Sequence, residues 1–211
     1  MPEFMSASEV RLKAIEAEGQ GRYVAAIILL EQCLQLDCVD GYGWLVLSDA
    51  YKAIGRFSAC ARALESALEY APDSERWIVE NRMAMLAAQQ GRYEQAEQWF
   101  HRACAADGAK DLRWPLILRG ANLIDLERYA VAQDVLRQAI RIEGQSDELD
   151  EAYHTLGVAL MGQGLYDAAK EEFKRALGIK PDSAQTQLAL KSLEGVEDAL
   201  SIAQDFQARS Q

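Results

Sequence analysis

Basic charge is scarce relative to its opposite in this sequence: 22 Lys+Arg stand against 33 Asp+Glu, a net charge of −11. The excess acid is spread along the whole length, so there is no basic half or tail. Nucleic-acid binding replaces counterions on phosphates with Lys and Arg, and anionic membranes attract the same residues; both partner classes are disfavoured. No run of about 18 apolar residues is present, so no membrane-spanning helix is expected. No apolar leader core opens the chain either. Val10-Arg-Leu-Lys-Ala-Ile15-Glu is charged and amphipathic, which points to a cytoplasmic location, with a leader removed upstream left open. Met1-Pro-Glu-Phe4 stands before a second Met and reads as vector-derived.

Sites for chemistry are equally sparse. The four cysteines, Cys33, Cys38, Cys60 and Cys104, form no C-x-x-C pair, and His101 and His154 lie too far apart for a metal-ligand spacing. Buried, reduced thiols are expected; the alternative, a Cys33–Cys38 disulfide, would join side chains that face different directions. Gly41-Tyr-Gly43 and Gly162-Gln-Gly164 do not complete G-x-G-x-x-G, and no P-loop, G-x-S-x-G or H-E-x-x-H occurs. The acidic run Asp147–Glu151 suits a helix start, where the dipole favours anions, better than a cation site. No catalytic role, no cofactor and no metal are expected.

What is present is a repeat. Gly21-Arg-Tyr23, Gly55-Arg-Phe57, Gly91-Arg-Tyr93, Glu127-Arg-Tyr129 and Gly164-Leu-Tyr166 recur at spacings of 34, 36, 36 and 37 residues. Three residues after each aromatic stands a small residue: Ala26, Cys60, Ala96, Ala132, Ala169. Four further on is a large one: Leu30, Leu64, Phe100, Leu136, Phe173. Three further again is another small one: Cys33, Ala67, Ala103, Ala139, Ala176. Spacings of three and four keep these on one helix face, where small residues admit a neighbouring helix and large ones fill the space beside it. Gly supplies the turn between two helices, and Pro72 and Pro181 end two of the second helices.

The upstream halves match as well. Trp44-Leu-Val-Leu47-Ser48-Asp-Ala-Tyr51 and Tyr153-His-Thr-Leu156-Gly157-Val-Ala-Leu160 follow W-x2-L-G-x2-Y. Over roughly residues 7 to 183 the sequence therefore resembles the tetratricopeptide repeat family. The resemblance implies an all-α, right-handed superhelical solenoid of five helix-turn-helix repeats, about 7–40, 41–74, 77–110, 113–146 and 150–183. The first repeat departs from the pattern, with Val10, Lys13, Ala14 and Ala17 at the signature positions, as suits a terminal repeat without a preceding neighbour. Glu80 replaces the aromatic in the third, and Arg119 the leucine in the fourth. The extra residues per repeat are expected in loops near Asp73-Ser74, Asp107–Asp111 and Gly144–Asp147.

Asp182-Ser183 is a helix start, and Leu193, Val196, Leu200 and Ala203, with Phe206, form an apolar stripe beyond it. A capping helix over 184–206 and a frayed tail over 207–211 are expected.

In proteins of this family the first helix of each pair lines a concave groove. Carried across, the partner-binding positions are Leu45, Val46 and Asp49 in the second repeat and Ile78, Asn81, Arg82 and Met85 in the third. The fourth supplies Trp114, Ile117, Leu118, Ala121 and Ile124; the fifth supplies Glu151, His154, Val158 and Met161. The Lys/Asn clamp by which some relatives hold a terminal carboxylate fits no register; one gives Asn81, Met85, Leu118, Glu151 and Thr155. The groove is apolar instead, which suits an apolar or amphipathic segment of another protein. The expected function is a protein–protein interaction module, an adaptor or chaperone; the alternative is a self-assembling scaffold whose groove takes a neighbouring copy. Asp111 and Pro115 open the helix that carries Trp114, which is expected at the groove rim as an anchor for the partner.

Overall fold

The computed structural model of the chain describes residues 7–35, 41–106, 113–143, 148–193 and 195. The described residues include ten helices: α1 (Ala7–Gly19), α2 (Tyr23–Gln35), α3 (Gly41–Ala53), α4 (Phe57–Tyr70), α5 (Arg76–Gln89), α6 (Tyr93–Ala105), α7 (Arg113–Asp125), α8 (Tyr129–Arg141), α9 (Leu149–Gly162) and α10 (Tyr166–Ile179). A further helix, α11, covers 184–193. No strand occurs among the described residues.

The repeated Gly closes each first helix in one way. At Gly21, Gly55, Gly91 and Gly164 the backbone is left-handed, with φ of 72–74°. The amide of that residue donates to the carbonyl three back, and the next amide to the carbonyl five back, as in Gly91→Ala88 and Arg92→Ala87, both 2.9 Å. These are the two bonds of a Schellman closure, and they satisfy carbonyls that the helix end would otherwise orphan. The fourth repeat builds the same turn with Glu127 at φ 57°, donating to Ile124 at 2.8 Å. A residue with a Cβ is strained there.

Packing follows the small–large–small pattern in every repeat. Ala26, Leu30 and Cys33, and their counterparts through Ala169, Phe173 and Ala176, are at most 2 % exposed. Each large residue faces a small one on the first helix. A Cβ on Gly157 would stand 2.5 Å from Phe173, and one on Gly120 would stand 2.6 Å from Leu136. Where the first helix carries Ala14, Ser48 or Ala84 instead, that residue is at most 1 % exposed. Cys33 and Cys60 are buried, and Cys104 is half-buried. The disulfide alternative involves Cys38, which lies outside the described residues. Burial pushes the Cys60 thiol up to about 11, so it behaves as an inert core residue.

The chain divides into two compact units, Met1–Gly108 and Ala109–Gln211. In the first, three hairpins stack, each helix packing on the next from α1 to α6. In the second, α7 packs on α8 and α9, α8 on α9, and α9 on α10. Leu193 of α11, fully buried, joins the core formed by Leu136, Leu156, Leu160 and Phe173. Burying it stabilises the unit by roughly 1.5–3 kcal/mol. Ser183 sits at the N-cap of α11, its hydroxyl 3.5 Å from the Thr186 amide. The expected stripe beyond Leu193, namely Val196, Leu200, Ala203 and Phe206, lies outside the described residues, as do Cys38, Asp111 and the 207–211 tail.

Candidate functional site

In the first unit the expected groove positions turn largely inward. Leu45 and Val46, at 6 % and 7 % exposure, are core residues. Leu45 packs with Leu64 and Val79, and Val46 with Ala14, Ala17 and Ile27. Helix α3 has neighbours on both sides, so positions outside the signature are covered too. Asp49 and Arg82 satisfy one another across adjacent repeats. Arg82 Nε donates to both carboxylate oxygens at 3.1 Å, and its Nη2 donates to Oδ2 at 2.9 Å. A bidentate pair of this kind fixes the register of α3 against α5 and leaves no net charge for a partner. Ile78 and Met85 are half-buried. Asn81 is 8 % exposed, and its buried carboxamide oxygen has no hydrogen-bond partner.

The second unit keeps an open face. On α7, Trp114, Leu118, Ala121 and Asp125 follow spacings of four, three and four, so they share one stripe. Pro115, Ile117, Gly120 and Leu123 point the other way and are buried. Ile117, at 2 % exposure among Ala139 and Ala152, therefore belongs to the core and not to the groove. Trp114, the second residue of α7, is 41 % exposed. On α9, Glu151, His154, Val158 and Met161 form the facing stripe. Between the two, with Gln185 of α11 closing one side, lies a cavity of about 200 Å³. Ala121, Ile124 and Val158 supply its apolar surface; Asp125, Glu151, His154 and Thr155 complete it.

His154 in the cavity wall is 6 % exposed and lies against Phe173, the ring centroids 5.5 Å apart and the planes tilted by 46°. Gln185 Nε2 donates to His154 Nε2 at 2.8 Å, so that nitrogen is the acceptor. His154 Nδ1–H then donates to Thr186 Oγ1 at 3.1 Å, and the Thr186 and Ser183 hydroxyls share a hydrogen bond at 2.9 Å. Both ring nitrogens are thus engaged by α11, which corrects the expectation of a free partner contact. Burial holds the imidazole below its usual pKa, against the opposing pull of the Glu151 and Asp150 carboxylates. The Asp125 carboxyl is raised by desolvation. Neither Asp125 nor Glu151 has a side-chain hydrogen bond or ion pair among the described residues.

Asp125 is one helical turn beyond Ala121, so the spacing alone could have found it. Thr155 follows His154 and shares its turn. Gln185 and Thr186 come from the capping helix, and no repeat signature points to them. Arg113 was also not anticipated: 4 % exposed, it donates from Nε to the Ala139 carbonyl at 3.0 Å and from Nη2 to that of Ile142 at 2.6 Å, closing the end of α8. Among the described residues, no group of three or more His, Cys, Asp or Glu is placed to hold a metal ion. No described helix is long and apolar enough to cross a membrane.

The family profile for the tetratricopeptide repeat matches residues 45–110 and 150–183. No curated protein matches in sequence. Among solved structures, the MamA protein superposes with a TM-score of 0.68 at 19 % identity, over 85 % of this chain and 94 % of that one. YrrB, described as a TPR protein with an unusual peptide-binding site, gives 0.68 at 16 % identity over 88 % and 92 %. The APC/C hetero-tetramer Cut9–Hcn1 gives 0.74 at 16 % identity over 91 % of this chain and 37 % of that one. At these identities the likeness is one of fold.

Proposed function

Starting from the membership of this chain in the tetratricopeptide repeat family, we propose that it is an adaptor or chaperone that holds an apolar or amphipathic segment of another protein on the α7–α9 face of its second unit. The cavity between these helices carries the reading. It lies beside a stripe that exposes Trp114, with Leu118 and Ala121 one and two turns further along. An indole at a groove rim gives a partner a large, rigid contact, and Trp dominates binding hot spots. The first unit supports the choice of face by contrast, since Leu45, Val46 and Asn81 are buried there and Asp49 and Arg82 are paired. That YrrB has a peptide-binding site on the same fold is consistent with this use.

Selection from a displayed library of random peptides on the full chain tests the proposal. Enriched peptides are expected to carry apolar residues at helical spacing. Trp114→Ala should weaken their binding by ~2 kcal/mol or more, about thirtyfold, with the melting temperature nearly unchanged. No enrichment, or binding indifferent to Trp114, rejects the face. Growth into large assemblies with concentration in sedimentation would favour a self-assembling scaffold instead.

A further inference from the structure

The chemistry of the cavity is more specific than apolar. Its lining combines three aliphatic side chains, Ala121, Ile124 and Val158, with His154, Thr155 and Gln185 and with two carboxylates, Asp125 on α7 and Glu151 on α9. Asp49, the acid on the corresponding face of the first unit, is already neutralised by Arg82. Asp125 and Glu151 have no such partner among the described residues. Aliphatic side chains beside two carboxylates are complementary to a side chain with an alkyl stem and a cationic end. Lysine and arginine are the residues built that way: their stems lie along apolar surface while the charge stays at the polar edge. The protein's net charge of −11 favours approach of a basic segment from a distance.

We propose that the α7–α9–α11 cavity seats a lysine or arginine side chain of the bound segment, its stem against Ala121, Ile124 and Val158 and its charge against Asp125 and Glu151. This specificity rests on the segment-binding reading above and adds to it a required basic residue within the apolar motif. The acids here act as selectors. A segment that is apolar throughout leaves two carboxylates without a partner, and one carrying Asp or Glu at that place is repelled.

Two measurements on the full chain decide it. In the first, peptides selected at physiological salt should be enriched in Lys or Arg within the apolar pattern. They should bind the Asp125→Asn/Glu151→Gln double variant at least about tenfold more weakly. General attraction to an acidic protein would survive the loss of these two charges, so basic peptides that bind the double variant equally well overturn the assignment. Apolar peptides without basic enrichment overturn it while leaving the segment-binding reading intact. In the second, n-butylguanidinium and its neutral isostere n-butylurea are titrated while the Ile124 and Val158 methyl resonances are followed. The cation alone should shift them, in the wild type and not in the double variant. If the library yields no peptide at all, the segment-binding reading fails, and this titration still judges the seat: equal shifts with both compounds, or none, overturn it.

Discussion

The two units share one repeat signature and use it differently. In the first, much of the α3–α5 face is taken up within the unit: Leu45 and Val46 are core, and Asp49 is clasped by Arg82. In the second, the α7–α9 face keeps a cavity, an exposed Trp114 and two carboxylates without side-chain partners among the described residues. The packing positions are buried alike in both units, so the difference lies in residues the signature does not constrain. A repeat protein of this kind holds its scaffold constant and varies the face that a partner touches.

If the scaffold is indeed common, its cores should respond alike. Phe100→Ala in the first unit and Phe173→Ala in the second should each cost ~3–5 kcal/mol in urea unfolding, since both rings are essentially fully buried. A small loss at one of them would break the equivalence. The faces should respond unlike each other. Asp49→Asn should cost ~0.5–1 kcal/mol, a range kept low because the pair is about one-third exposed. Asp125→Asn should cost nothing measurable, and an equal loss at both would remove the contrast.

The hairpin turns offer a finer comparison. Glu127→Gly in the second unit should stabilise by ~0.5–1 kcal/mol, relieving the left-handed strain that Gly91 avoids in the first. Unchanged stability would mean that the Glu127 side chain compensates. The smallest effect is expected from a single proton in the second unit. His154 is held below its usual pKa of 6.5, so it is neutral when folded and protonates more readily when unfolded. Stability is therefore full above that value and falls as pH drops through it towards the folded pKa. His154→Gln should flatten this slope in a series of thermal melts.

Much of this was legible beforehand. Small and large residues at spacings of three and four define a helix face wherever they occur, so Ala132, Leu136 and Ala139 announced their own burial. The turn glycines were equally plain, because left-handed backbone selects Gly. The groove was read less well. Carrying positions over from the family assumes that each first helix presents the same arc to solvent, yet Leu45, Val46 and Ile117 are taken up by neighbouring helices. Whether Asp49 is available depends on Arg82, 33 residues away, and the pairing needs coordinates. The engagement of His154 by Gln185 and Thr186 comes from a helix outside the repeats, beyond the reach of any periodicity.

Filling the cavity tests the central claim most directly. Ala121 lines it from α7 and is only partly buried, so Ala121→Leu adds bulk inside the cavity without opening the core. Peptides selected on the wild-type chain should bind this variant at least about tenfold more weakly, ~1.4 kcal/mol, with the melting temperature held. Unchanged affinity in a fully folded variant would contradict the account and move the partner site off the α7–α9 face.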